Sequence, residues 1–385
     1  MTASKSIALR AYHAPDGRCI HYAAACLRKE AGASIGATFV NVDADVIGRV
    51  NTCWVIFYPA GPNRRLLELI LARYAPNFDC DKDVLFLCIN RPGKGGTSGS
   101  HSISNDEDVS PEQQHVNTTC QDVVTILDYY QIPKTSLFYM CAGSTFCYSF
   151  AARYSDRSTG CIIGVSSWIL RSCPSQAEEK RSEDHAELPP IHSFTHRMAM
   201  NGLFGPKWFV SNLASGSMSN VHGLFGLLPP TFIVNHFKKT LSLHERNDFD
   251  EHYSDRGGVG LIEDLMWMNQ DGSDGEGSLF VNSKDVNITN TATNTYDGNA
   301  KDISVCLTTQ EELGLVYDTS MPTQRQVLLW HGTKDHMISV AGAEYLASQI
   351  PHATLNKVTE GTHQGTMFFF PDSVMIALNS ISSEV

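Results

Sequence analysis

Apolar residues gather along this chain in short unbroken runs, separated by polar and glycine-containing turns. Cys53 to Tyr58 (CWVIFY), Val84 to Asn90 (VLFLCIN), Ser136 to Cys141 (SLFYMC), Cys161 to Val165 and Val327 to Trp330 (VLLW) do not alternate polar with apolar positions. That pattern predicts strands buried on both faces. Leu66 to Tyr74, a stretch within Asp108 to Tyr130, and Ser144 to Tyr154 fall between or after these runs and read as helices. After Trp330, a helix around Ala341 to Gln349, a strand near Thr354 to Val358 and a last helix over Met367 to Ser380 complete the pattern. Near the start, Ile7 to Tyr12 and Cys19 to Ala24 flank Pro15-Asp16-Gly17 and predict two strands joined by a turn. Strand alternating with helix predicts a mainly parallel sheet with helices on both faces.

Two intervals break the alternation. From 167 to 320 the chain carries polar stretches (Glu178 to Glu187), a Gly/Asp/Ser run (Asp271 to Ser278) and an Asn/Thr run (Asn287 to Asn294), with aromatic, helix-like segments between them. An insertion of that size between two core strands predicts a mostly helical lid, leaving 1–166 and 321–385 as the core. A smaller insertion, Leu27 to Asn51, has no readable role.

Composition sharpens this only in part. At 42% hydrophobic and 18% charged residues, a sizeable core is expected and general disorder is not. A formal net charge of −12 argues against nucleic acid and anionic membrane surfaces as partners. No apolar run approaches the roughly 20 residues of a membrane span. The opening MTASKSIALR has no apolar core of a signal peptide, so a cytoplasmic chain is expected. The eleven cysteines are then expected to be reduced, and most of them to be small buried hydrophobes. With no C-x-x-C pair to suggest zinc, no metal or cofactor is expected.

One cysteine stands apart. Leu137-Phe138-Tyr139-Met140-Cys141-Ala142-Gly143-Ser144 reads as a strand, a tight turn and a helix start. A nucleophile on such a turn stands clear of the sheet at the end of its strand, and a thiol at a helix N-terminus beside an imidazole is stabilised as thiolate. Ser144 also follows a glycine and is the competing nucleophile, although it would sit one turn into the helix. Downstream, Leu329-Trp330-His331-Gly332-Thr333-Lys334-Asp335 places an acid just after a late buried strand, and Glu360-Gly361-Thr362-His363-Gln364-Gly365 places a histidine after the next. Asp335 and His363, 28 residues apart, follow Cys141 in the order nucleophile, acid, histidine. Any one of them alone is unremarkable: a core thiol, a turn aspartate, one histidine of fifteen. The order and spacing carry the signal.

Together these motifs resemble the α/β-hydrolase superfamily over residues 1–166 and 321–385. The stretch Ala151-Ala152-Arg153-Tyr154 matches the superfamily's A-x-R-Y helix segment and sets the register that favours Cys141 over Ser144. Asn90 to Ser98 (NRPGKGGTS) resembles its D-R-P-G-x-G-x-S loop. Tyr58-Pro59-Ala60-Gly61 stands where relatives carry the H-G-x-P-G oxyanion loop, so the resemblance implies an oxyanion hole made by the N–H groups of Gly61 and Ala142. Within the superfamily the chain most resembles fungal polyketide-pathway thiohydrolases and lactone-forming cyclases with a cysteine nucleophile. That implies a small-molecule acyl substrate delivered as a thioester by an acyl carrier protein, released by lactonisation or hydrolysis. Two other readings stay open: a cysteine-dependent esterase or lactone hydrolase resembling dienelactone hydrolase, and a non-catalytic ligand-binding protein on the same fold.

Overall fold

A computed structural model describes residues 7, 9–32, 34–40, 42, 50–58, 67, 70–71, 74–94, 97–100, 109–170, 238–239, 241–243, 245–247, 301–308, 310–315, 326–368 and 372–384. Most of 167–320 therefore lies outside the described residues, as do the lid aromatics Phe194, Phe204, Trp208, Phe209, Phe225, Phe232 and Trp267.

The described residues form one sheet of nine strands: β1 (Leu9–His13), β2 (Cys19–Lys29), β3 (Ala37–Val40), β4 (Val50–Phe57), β5 (Asp83–Ile89), β6 (Thr135–Met140), β7 (Ser158–Val165), β8 (Gln326–Gly332) and β9 (Ala353–Val358). Their spatial order is β1-β2-β5-β4-β6-β7-β8-β9, with β3 paired to β2. From β5 to β9 all pairing is parallel, and β2 joins it antiparallel through β5. The smaller insertion now has a role. β2 runs on to Lys29, turns through Gly32 and Gly36, both at positive φ, and returns as β3, so residues 27–40 widen the antiparallel wing. Its exposed positions break the apolar run that marks the inner strands, which hid it in the sequence.

The helices of the described residues include α1 (Pro111–Tyr129), α2 (Gly143–Arg153), α3 (Val340–Gln349), α4 (His363–Phe368) and α5 (Asp372–Glu384). Ser110 caps α1, its hydroxyl accepting from Gln113 N at 3.1 Å, with Pro111 at the first helical position. Val116, Cys120, Val123 and Leu127, at helical spacing, bury one face of α1. In α2 every residue from Gly143 to Ala151 is buried, so this helix is core on all sides. Leu67, Ile70, Leu71 and Tyr74 are buried, in the stretch read as helical. The single last helix expected over Met367 to Ser380 is instead two, α4 and α5; Pro371, which lacks the amide hydrogen a helix interior needs, falls between them in the sequence. Ser382 of α5 accepts from the Trp54 indole at 3.0 Å through its hydroxyl and from Thr52 Oγ1 at 3.1 Å through its carbonyl, which seats α5 on β4.

Strand order reverses at β4: the chain steps outward to β5, then crosses back to β6 and onward to β9. Open parallel sheets bind ligands at such a switch point, outside the carboxyl ends of the strands. Among the described residues no helix is long and apolar enough to cross a membrane, and no group of three metal-ligating side chains is found.

Candidate active site

The turn after β6 is where local backbone and site chemistry meet. Cys141 sits at φ +47°, in the left-handed region that costs a non-glycine residue about 1–2 kcal/mol. Three hydrogen bonds hold it there: Cys141 N donates to Val165 O at 3.0 Å, while its carbonyl accepts from Ser144 N at 3.0 Å and Trp168 N at 3.1 Å. Gly143 makes the turn possible, because a Cβ there would lie 2.2 Å from Phe57 O. The position three residues before Ala142 is Tyr139, a large side chain where a glycine would be expected on this kind of turn. β7 makes room for it: Tyr139 pairs with Gly164, whose missing side chain leaves the space the phenol ring fills. The Tyr139 hydroxyl shares hydrogen bonds of 2.7 Å with both Tyr148 and Ser167.

The acid and histidine arrive from the next two strand ends. Asp335 ends the turn after β8 and is wholly enclosed. Its Oδ1 accepts from Met337 N at 2.9 Å and Ile338 N at 2.8 Å, and its Oδ2 accepts from His363 Nδ1 at 2.7 Å. Gly332 permits this turn, since a Cβ there would strike Gly361 O at 2.1 Å. His363 opens α4, with Nδ1 committed to Asp335. The Cys141 side chain acts on the same imidazole, favouring its charged form. The three residues form one connected chain, buried at 8%, 7% and 3% exposure for Cys141, Asp335 and His363.

Burial by itself would lower the His363 pKa, but the Cys141 side chain and the Asp335 carboxylate outweigh it and raise it to about 10. Burial would push Asp335 up, yet its hydrogen bonds from His331 and His363 hold it well below the usual carboxylate range. Burial pushes the Cys53 and Cys120 thiols up to about 12, as inert core thiols. Ser144 lies inside α2, fully buried, and its hydroxyl donates to Trp168 O at 2.6 Å.

A scan against family models found no match, and a search among curated proteins found no relative. Solved structures are similar in fold. An alpha/beta hydrolase enzyme from a Medee basin deep-sea metagenome library aligns over 98% of both chains at 12% identity, with a TM-score of 0.53. 2-Hydroxy-6-oxo-6-phenylhexa-2,4-dienoate hydrolase from Rhodococcus sp. strain RHA1 covers 98% of this chain and 100% of its own at 11% identity, TM-score 0.53. A thermophilic esterase from Thermogutta terrifontis covers 97% of both at 13% identity, TM-score 0.50. The chain has the α/β-hydrolase fold.

Of the α/β-hydrolase-fold features expected around Cys141, part can be located. Ala142 caps α2 with helical backbone angles, next to Cys141. Pro59, Ala60 and Gly61 lie outside the described residues. Tyr58, the last described residue before them, is buried. Burial and the Cys141 side chain both push its phenol up, and its carbonyl accepts from Arg91 Nη1. The Asn90 to Ser98 loop serves as an anchor. Arg91 forks onto Asp302, Nε to Oδ1 at 2.8 Å and Nη2 to Oδ2 at 2.7 Å; Lys94 pairs with Asp302 as well, and His115 Nε2 meets Asp302 Oδ1 at 2.9 Å. Burial would raise Asp302, but the two cations hold it well below the usual carboxylate range. Arg91 also lies 4.7 Å over the Phe146 ring of α2. Asp302 belongs to the helical residues 301–306, inside the interval 167–320, so part of that interval packs onto the core beside α2.

Sequence reasoning passed over three buried residues of this region, His331, Asp302 and Glu245. Fully buried His331 donates through Nε2 to Ile338 O at 2.9 Å and stands 3.3 Å from Asp335 Oδ2. Its place four residues before the acid was the available signal. Asp302 and Glu245 act across long sequence separations, and nothing local marks them.

Proposed function

We propose that this protein is an acyl-transfer enzyme of the hydrolase class, working through a Cys141–His363–Asp335 triad on an acyl thioester. The observation that carries the proposal is the strained Cys141, whose side chain acts on an imidazole held through Nδ1 by a buried aspartate at 2.7 Å. In this reading Cys141 reacts as the thiolate paired with the His363 imidazolium. It attacks the thioester carbonyl, and the N–H groups of Ala142 and Gly61 bind the oxyanion. The tetrahedral intermediate collapses with loss of the carrier thiolate, which takes the proton from His363, leaving acyl-Cys141. His363 then takes a proton from water or from a hydroxyl of the acyl chain, and that oxygen displaces Cys141 to give the free acid or a lactone. Asp335 keeps the Nδ1–H tautomer and offsets the imidazolium charge.

A thioester is the substrate class that suits a cysteine. Exchange between two thioesters is nearly neutral in free energy, so the acyl-enzyme stays activated for attack by an alcohol. Residues 167–320 act as a lid over the core of 1–166 and 321–385, and an acyl carrier protein presents a polyketide-like acyl chain to it. The experiment is turnover of acyl thioesters, including hydroxyacyl chains of several lengths, with products separated by mass spectrometry. Acid or lactone released from thioesters, and lost in Cys141→Ala, supports the proposal. A second reading follows from the esterase among the similar folds: a cysteine-dependent esterase or lactone hydrolase. Faster turnover of simple oxygen esters or free lactones than of thioesters favours that one. A non-catalytic binding role would leave Cys141 unlabelled by every acyl donor.

A further inference from the structure

Glu245 reaches the general-base loop from inside the interval 167–320. It is 7% exposed, and its carboxylate is fully used. Oε1 accepts from Thr362 N at 2.8 Å; Oε2 accepts from Thr362 Oγ1 at 2.9 Å and from Ser242 N at 2.8 Å. The last bond belongs to a capping box: Glu245 N returns a bond of 3.4 Å to Ser242 Oγ, so Ser242 and Glu245 hold each other at the start of a short helical segment. One carboxylate thus ties two segments 117 residues apart.

Thr362 is the residue through which this tie acts on the site. Its Oγ1, besides donating to Glu245, accepts from Gly365 N at 3.0 Å, and its carbonyl accepts from Thr366 N at 3.0 Å. Thr362 therefore caps α4, whose first residue is His363. With Glu245 holding both Thr362 N and Thr362 Oγ1, the direction in which α4 leaves the loop is fixed, and with it the position of the His363 ring. Gly365 fits the same arrangement: a Cβ there would lie 1.8 Å from Glu245 Oε1.

We infer that Glu245 is a positioning residue: it sets the His363 imidazole against Cys141 by gripping Thr362, and so makes formation of the thiolate–imidazolium pair depend on the seating of the segment around 238–247. This rests on the reading of His363 as the base paired with Cys141. Glu245 touches neither reacting atom.

The test is the pH dependence of Cys141 alkylation by iodoacetamide, followed by intact mass, in the full-length protein. Wild type should alkylate at pH 6 almost as fast as at pH 9, because the imidazolium holds the thiolate. Glu245→Ala should lose roughly 10- to 100-fold at pH 6 and little at pH 9. Glu245→Gln, which keeps an acceptor for Thr362 N, should recover part of the loss. Gly365→Ala should reproduce the Glu245→Ala profile and add nothing to it in the double variant, where the space has been opened. Far-UV circular dichroism checks the fold, and Glu245→Gln supplies the test if Glu245→Ala does not fold. His363→Ala separates the two claims. If it lacks the pH 6 reactivity while Glu245→Ala and Glu245→Gln keep it, the role of Glu245 is overturned and the triad stands. If His363→Ala keeps the wild-type profile, the triad itself falls.

Discussion

At the scale of single residues the site is set by what each side chain is committed to. Cys141 is the nucleophile in this account because its backbone is held in the left-handed region and its thiol meets His363, whereas the Ser144 hydroxyl is spent on Trp168 O. Cys141→Ala should therefore lower turnover about 10³-fold or more with the fold intact, and Ser144→Ala should remain active; steady-state rates beside circular dichroism decide it. The reverse result would move the nucleophile to Ser144. Asp335 carries a pH signature. Its folded pKa is depressed, so its contribution to stability is present above the ordinary value of 3.8 and is lost as pH falls through the folded value. Wild type should exceed Asp335→Asn in Tm near pH 6, and the gap should narrow below pH 4 in thermal melts; a gap independent of pH would contradict the charged carboxylate. Cys141 and Asp335 were legible as candidates because each follows a strand that an apolar run betrays, and His363 because it follows the more polar strand expected near Thr354 to Val358. His331 and Glu245 were not: the first looks like a core histidine in a strand, and the second meets its partner 117 residues away. Only the folded chain brings such groups together.

At the scale of elements, close approach decides which substitutions the core tolerates. α2 leaves the turn directly against the carbonyl of Phe57 at the end of β4, with no room for a Cβ on Gly143. β7 accommodates the Tyr139 ring only because residue 164 is glycine. Gly164→Ala should lower stability by about 1–3 kcal/mol through overpacking, read as a fall in Tm. Tyr139→Ala should relieve much of it, so the double variant should be markedly less than additive; additive losses would mean that the two residues do not share that space. The sequence made the inner parallel strands plain, since burial on both faces leaves continuous apolar runs. It was silent on β3, which lies at the edge of the wing with exposed positions, and it merged α4 with α5 because the apolar spacing continues past Phe368. Tyr139 stands before Cys141 where a glycine is usual on such a turn. Its compensation, Gly164, sits on a neighbouring strand 25 residues on, where sequence pattern alone does not pair the two.

At the scale of the whole molecule, the parallel strands bring the Cys141 turn, the Asp335 turn and the His363 loop to one edge of the sheet, and segments of 167–320 are pinned there at two points. Asp302 is held by Arg91 and Lys94, and Glu245 by Thr362. If the interval works as a lid, it governs what reaches acyl-Cys141. A hydroxyl of the bound chain competes with water through effective molarities that reach about 10⁵–10⁸ M when well oriented. With hydroxyacyl thioesters, lactone should exceed acid, and Trp208→Ala or Trp267→Ala should shift the ratio towards acid; an unchanged ratio would remove these aromatics from the account. The central claim is that Cys141 itself carries the acyl group, and intact-mass and peptide-level mass spectrometry after brief incubation with an acyl thioester tests it most directly. The account predicts one added acyl mass per chain on the peptide bearing Cys141, kept in Ser144→Ala and gone in Cys141→Ala. An acyl group found on Ser144, or an adduct that persists in Cys141→Ala, would contradict it.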